Sequence, residues 1–323
     1  MTASTRRHTA AKSRIAAVGA IAVAGTMLLT ACGDQTKSGS PDSGSVSSSG
    51  KASAQGAPLA DLLPPEIKAK GVVKVGSDIA YAPVEFKDDS GKTVGIDPDV
   101  ADALGKQLGV RFEFEKGTFD ALLTGLRSKR YDVAMSAMTD TAARQNGVDA
   151  DTGKKVGEGV DFVDYFHAGV SLYTLKGKTR SIQGWDDLCG KKIVVQRATI
   201  SHDMAKEQAK KCGAKKLSIE PFDDDQQAQT RLRGGGADVG SSDFPVAAYA
   251  VKTSGGGKDF EIVGDQVQAA PYGMAVSKSN TKLRDAIKAA LDAIIKNGEY
   301  GKIVTKWGVE AGAVTEAAVN GGK

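Results

Sequence analysis

Histidine, cysteine and tryptophan are scarce, with three, three and two residues in a chain of 323. So few cysteines exclude a disulfide-dense scaffold, and no Cys/His spacing follows a zinc pattern; no metal or other cofactor is expected. His8 falls near the start, which leaves His167 and His202 as the imidazoles on hand for proton transfer near neutral pH. Acid is missing from the first 31 residues, which carry Arg6, Arg7, Lys12 and Arg14. Those are four of the 43 basic residues, and 39 acidic residues follow, so the chain beyond them is balanced. A balanced surface gives no basis for a nucleic-acid partner or a polybasic membrane patch. The apolar run Ile15–Leu29, broken by Gly19 and Gly25, is shorter than the ~20 residues that span a bilayer.

That run ends in Leu29-Thr30-Ala31-Cys32. A positive segment, an apolar segment and a small residue before the cut make an export signal. Leu three positions before the cut with Cys directly after it resembles the bacterial lipobox. The resemblance implies that residues 1–31 are a lipoprotein signal peptide and that Cys32 is lipidated, with palmitate the expected acyl group. The chain is then expected on the extracytoplasmic side of the cell membrane, lipid-anchored. Arg6-Arg7 fits twin-arginine export less well than the general pathway. Residues 32–57 are Ser, Gly, Lys, Asp and Gln with little that is apolar. Such a composition reads as a flexible tether.

The remainder, from Pro58, exceeds the ~100–200 residues usual for one domain. Short β-rich runs alternate with helical periodicity almost throughout. Strands are predicted at Val72–Gly76, Arg111–Glu115, Tyr131–Ser136, Val170–Leu175, Lys192–Val195, Leu217–Glu220, Ala237–Gly240 and Met274–Ser277. Helices are predicted from Asp97-Pro98, over Ser201–Lys211, Asp224–Arg233, Thr281–Lys296 and Tyr300–Trp307, and from Pro245. This alternation implies parallel sheets covered by helices, with ligands at the carboxyl ends of strands. Gln145–Val160, with four glycines, reads as an exposed loop. With Cys32 given to lipid, Cys189 and Cys212 are an even pair in an oxidising compartment, and a disulfide is expected. His167 and His202 could join them as metal ligands only at a spacing that matches no zinc site.

Ten segments in order are similar to the amino-acid-binding proteins of ATP-driven importers, the extracellular solute-binding proteins of family 3. They are Gly76–Phe86, Val94–Asp99, Tyr131–Ser136, Thr139–Arg144, Val160–Phe166, Lys191–Gln196, Asp238–Asp243, Pro271–Gly273, Gly298–Tyr300 and Lys306–Gly308. The resemblance implies an α/β, two-lobed, periplasmic-binding-protein-like fold of type II. Two parallel-rich sheets with flanking helices would be joined by a two-strand hinge and close over the ligand. Residues 58–167 and 269–310 would form the first lobe and 168–268 the second, with 311–323 a C-terminal tail. The implied partners are an amino acid and the permease of an ABC transporter with its ATPase; a monomer is expected.

The same resemblance assigns a ligand site. Arg144 would take the amino-acid carboxylate, since a guanidinium offers a permanently charged, two-pronged donor. Ser136, Thr139 and the backbone of Ala137 would meet the ligand's polar groups. Thr199 and the Ile200 amide, before a helix, would meet the carboxylate from the second lobe, although Thr199 could equally serve as that helix's cap. Asp243 would pair with the ammonium, or else cap the helix at Pro245. Tyr81 and Phe119 would sandwich the ligand. Asp78, with Gln196 beside it, would read the side chain, favouring cationic or amide groups over acidic ones. Val84, where relatives carry an aromatic, would open space there. The alternatives are an enzyme on this scaffold, such as a cyclohexadienyl dehydratase, or a lipoprotein sensor for a membrane receptor. Arg144 with Asp243 makes a complete amino-acid clamp and leaves no placed histidine, which favours binding without chemistry.

Overall fold

The structure, a computed structural model, describes residues 56–178 and 181–323. Cys32, the signal segment and tether residues 32–55 lie outside the described residues.

The first half runs α1 (Pro65–Lys70), β1 (Val72–Ser77), β2 (Phe86–Lys87), β3 (Thr93–Val94), α2 (Ile96–Leu108), β4 (Arg111–Lys116), α3 (Leu122–Arg127), β5 (Val133–Ala134) and α4 (Ala142–Asn146). The long strand β6 (Val160–Leu175) leads to β7 (Lys192–Gln196), α5 (Ile200–Lys211), β8 (Ser218–Phe222), α6 (Asp225–Arg233), β9 (Val239–Asp243) and α7 (Phe244–Thr253). A second long strand, β10 (Phe260–Ser277), returns to α8 (Thr281–Lys296), α9 (Glu299–Trp307) and β11 (Ala313–Val319).

Each half is built on a parallel triplet. In the first lobe β1 lies between β4 and β5; in the second β7 lies between β8 and β9. Side chains alternate across a strand, so Ile193 and Val195 enter a core with Leu172, Leu188 and Ala205. Val194 enters another on the opposite face, with Tyr173, Ala228 and Leu232. The first lobe has its own pair of cores. One joins Val73 and Val75 to Leu104, Leu108, Ile287 and Leu291, and the other joins Phe119, Leu122 and Leu126 to Tyr131. Burial on both faces is what a helix-covered parallel sheet requires.

The two sheets expected from the alternation are continuous. β6 and β10 pair antiparallel from Val160↔Ser277 to Leu175↔Phe260, and β10 meets β5 while β6 meets β9. The hydrogen-bonded path is β4-β1-β5-β10-β6-β9-β7-β8. Pairing of the long strands shifts register between Val263 and Val267, between Val267 and Ala270, and between Tyr272 and Gly273. Gln268 between them adopts φ 52°.

Several boundaries differ from expectation. β5 stops at Ala134 and not at Ser136, because Ala137 adopts φ 47° and the chain turns away from the ladder. β9 occupies Val239–Asp243, running past the Gly240 limit, since Gly240 to Asp243 pair with β6. The stretch 311–323 is not a free tail. β11 pairs with β6 and Ala317 is buried, while the N–H groups of Gly321 and Gly322 donate to Asp164 (2.9 Å) and Asp140 (2.8 Å). Among the described residues no helix is long and apolar enough to cross a membrane.

Cys189 and Cys212 are joined, 23 residues apart in sequence. Closing a loop of this size removes about 3 kcal/mol of unfolded-chain entropy. At ~2–4 °C per kcal/mol for a large domain, reduction is expected to lower the melting temperature by about 6–12 °C. Thermal denaturation with and without reductant measures it, and an unchanged midpoint would contradict the stabilising role.

Candidate functional site

The carboxyl ends of the parallel strands converge between the lobes. Asp78 follows β1, Ser136 and Ala137 follow β5, Gln196 ends β7 and Asp243 ends β9. Asp78, Tyr81, Phe119, Ser136, Ala137, Thr139, Arg144, Gln196, Thr199, Ile200 and Asp243 together line one narrow cavity. Ile79, Ala137 and Ala198 sit beside these residues with φ of 54°, 47° and 61°. A left-handed conformation costs roughly 1–2 kcal/mol for a non-glycine residue, and here it turns each strand end into the cleft.

Arg144 lies on α4, whose cap Thr141 accepts from the Arg144 N–H at 3.3 Å. Its Nη1 donates to the Thr139 carbonyl at 2.7 Å, and its Nη2 donates across the cleft to the Ala198 carbonyl at 3.1 Å. The guanidinium carbon stands 5.4 Å from the Phe119 ring centroid, so Phe119 supports the cation as well as bounding the cavity. Burial pulls the Arg144 pKa down, while Asp203 and Asp243 pull it up.

The Asp243 side chain does not cap the helix at Pro245: the residue occupies the N-cap position of α7, yet its side chain makes no cap hydrogen bond. Instead the Tyr272 hydroxyl donates to its Oδ2 at 2.7 Å, and its own N–H donates to the Tyr81 hydroxyl at 3.0 Å. Burial raises its pKa to about 6 against the opposing pull of Tyr272, Tyr81 and Arg144. Thr199 goes the other way: its hydroxyl accepts from the His202 N–H (3.2 Å) and donates to the Gln196 carbonyl (2.8 Å). The hydroxyl is thus spent on the cap of α5, and the helix's first N–H groups remain the natural anion donors. His202 Nδ1 accepts from the Ala198 N–H at 3.2 Å and braces this turn.

Asp78 occupies a separate electrostatic setting. Gln196 Nε2 donates to its Oδ2 at 2.9 Å and also to the Asp223 carbonyl at 3.2 Å. Burial raises its pKa to about 6, with Gln196 and Lys116 lowering it and Asp224 and Asp120 raising it. Behind it the Asp78 N–H donates to Ser136 Oγ (3.1 Å), and Ser136 donates on to Glu85. Burial and the neighbouring Asp97 push Glu85 well above the carboxylate range. Asp97, raised to about 7 by burial, accepts from the Tyr165 hydroxyl and, at 3.3 Å, from the Ala137 N–H. The Ala137 N–H therefore points at Asp97.

Tyr272, Glu85 and Asp97 act on the site without having been singled out. All three lie in or beside the family-like segments, which was the available signal. Val84 is buried in the first-lobe core and absent from the cavity lining, so its small size opens no space there. Among the described residues no group of three or more His, Cys, Asp or Glu is arranged to hold a metal.

Comparison with known proteins matches residues 73–310 to the model of the bacterial extracellular solute-binding proteins, family 3. The chain is 29% identical over 263 residues to the arginine-binding protein ArgT of Corynebacterium glutamicum, covering 80% of this chain and 81% of that one. Among solved structures, an ancestral arginine-binding protein bound to arginine is 36% identical with a TM-score of 0.66, covering 73% of this chain and 98% of that one. An ancestral arginine-binding protein bound to glutamine is 36% identical with a TM-score of 0.65, over 74% and 99%. These relatives are named as binding proteins, which supports a role without catalysis. The matched span takes in both parallel triplets, both long strands and every residue around the cavity, and the chain belongs to the bacterial extracellular solute-binding proteins, family 3.

Proposed function

We propose that the protein is a lipid-anchored extracytoplasmic receptor that holds an amino acid with a cationic side chain, arginine foremost, and delivers it to an ABC importer. The observation that carries the ligand class is the charge of the cavity, one guanidinium against two carboxylates, Asp78 and Asp243. An amino acid brings a carboxylate and an ammonium, and each must be paired once water is expelled. Arg144 and the α5 N-terminus answer the first, and Asp243 answers the second. The field of Asp243 reaches Arg144, whereas Asp78 is governed by other neighbours, so Asp78 is left for the side chain. A cationic side chain neutralises it, an amide side chain can donate to it, and an acidic one would add like charge. The relatives named for arginine, and the ancestral structures bound to arginine and to glutamine, are consistent with that order. Delivery to a permease and its ATPase follows from the family, and Cys32 would keep the receptor at the membrane.

Arg144→Ala leaves a buried carboxylate unpaired, at a cost of about 3–5 kcal/mol. Calorimetry with L-arginine should show affinity reduced more than a hundredfold, and retained affinity would sink the carboxylate assignment. Asp78 and Asp243 both titrate near 6, and each pairs with a cation only when ionised. Affinity for arginine should hold above that pH and weaken as pH falls through it, more steeply than affinity for glutamine, which engages one of the two charges. Equal slopes for the two ligands would remove Asp78 from the side-chain role. Cys32→Ser should release the protein from membranes into the soluble fraction; a variant that stays in the membrane pellet disproves the anchor.

A further inference from the structure

The segment between α4 and β6, expected to be an exposed loop, is a braced hairpin. Val148 and Lys155 bridge antiparallel. Asp149 organises the turn, its Oδ1 accepting from the Thr152 N–H (2.8 Å) and hydroxyl (2.6 Å), while its own N–H donates to the Lys154 carbonyl at 2.9 Å. The base is held by Lys155 Nζ donating to the Asn146 carbonyl (2.7 Å) and Arg127 Nε donating to the Glu158 carbonyl (2.8 Å). The two legs close so tightly that a Cβ on Gly159 would stand 1.9 Å from the Gln145 carbonyl oxygen. A turn held at both ends fixes where its tip points.

The tip carries Asp151, which crosses to the second lobe. Its Oδ2 lies 2.9 Å from Lys206 Nζ and its Oδ1 3.8 Å from Lys210 Nζ, both lysines on α5. Lys206 also pairs with Asp203 at 2.9 Å. The Asp151 and Lys206 side chains are 31% and 33% exposed, so the pair is partly shielded. The same two units already meet inside the cleft, where Arg144 of α4 donates to Ala198 just before α5.

We infer that Asp151 is an affinity-determining residue: its ion pairs with Lys206 and Lys210 latch the hairpin to α5 in the closed form and set how long a bound ligand is retained. The pairs join the element bearing the carboxylate-binding arginine to the helix whose N-terminus faces the same carboxylate. Separating the lobes breaks the pairs, so their free energy enters the closing equilibrium and no other step. A contact made after the ligand has entered slows departure and leaves arrival unchanged. Partly exposed pairs of this kind shift an equilibrium by about two- to fivefold, and screening by salt reduces the effect.

The test uses L-arginine as probe and so rests on the proposed ligand class. Stopped-flow dissociation is measured for the parent, Asp151→Asn, Lys206→Gln and the double variant, at low and high salt. Asp151→Asn should release arginine about two- to fivefold faster with an unchanged association rate. The double variant should be no faster than the quicker single one, and salt should accelerate the parent more than Asp151→Asn. Unchanged dissociation in Asp151→Asn, or strictly additive effects of the two substitutions, overturns the latch. If the parent binds no arginine, the ligand assignment fails separately. The latch is then read from small-angle scattering of the ligand-free protein, where Asp151→Asn should enlarge the radius of gyration and an unchanged radius rejects it.

Discussion

A guanidinium and two carboxylates buried around one small cavity are the constraint that the rest of the structure serves. Taking such groups out of water costs several kcal/mol each unless every charge finds a partner. Arg144 meets this cost with two carbonyls, one from each lobe, and an aromatic ring. Asp243 meets it with the Tyr272 hydroxyl, which donates to its carboxylate from the opposite side of the cleft, where the Tyr81 hydroxyl also accepts from its N–H. Each charged group around the cavity therefore has at least one partner on the half of the molecule that does not carry it. Closure and charge pairing are one event.

The sheet makes that event possible. Parallel triplets aim their carboxyl ends at each other because β6 and β10 run through both halves in a single antiparallel ladder. Where that ladder loses register, around Val263–Ala270 and at Tyr272–Gly273, the backbone gives up regular pairing. Tyr272 belongs to this irregular stretch and to the Asp243 site together. A change in the angle between halves thus acts directly on a residue that holds a cavity-lining acid.

The sequence made the architecture readable because its signals are local. The continuous apolar run Ile193–Val195, the Pro98 start of α2 and the apolar stripe of α8 each fix an element from its own residues. Order of family-like segments carried the cavity lining in the same way. What escaped depends on distant partners. Nothing near Ala137 announces that its N–H turns to Asp97. β11 escaped because Ala313–Val319 is rich in alanine, a weak strand former, and becomes a strand through pairing with β6, more than a hundred residues earlier in the chain. The hairpin after α4 looked featureless for a related reason: its polar residues are satisfied by one another and by α5.

The bond between Cys189 and Cys212 has a consequence beyond stability. The covalent ring it closes contains β7, the Ala198–Ile200 turn and all of α5. The second-lobe groups that meet Arg144 by hydrogen bond and Asp151 by ion pair are therefore threaded on one closed loop of chain. A peptide-bond cut anywhere inside that loop leaves two pieces still tied together, with Gln196 and Lys206 retained on the same body. For a protein exposed to the enzymes of its surroundings, the receiving wall of the cleft survives a nick as a single object.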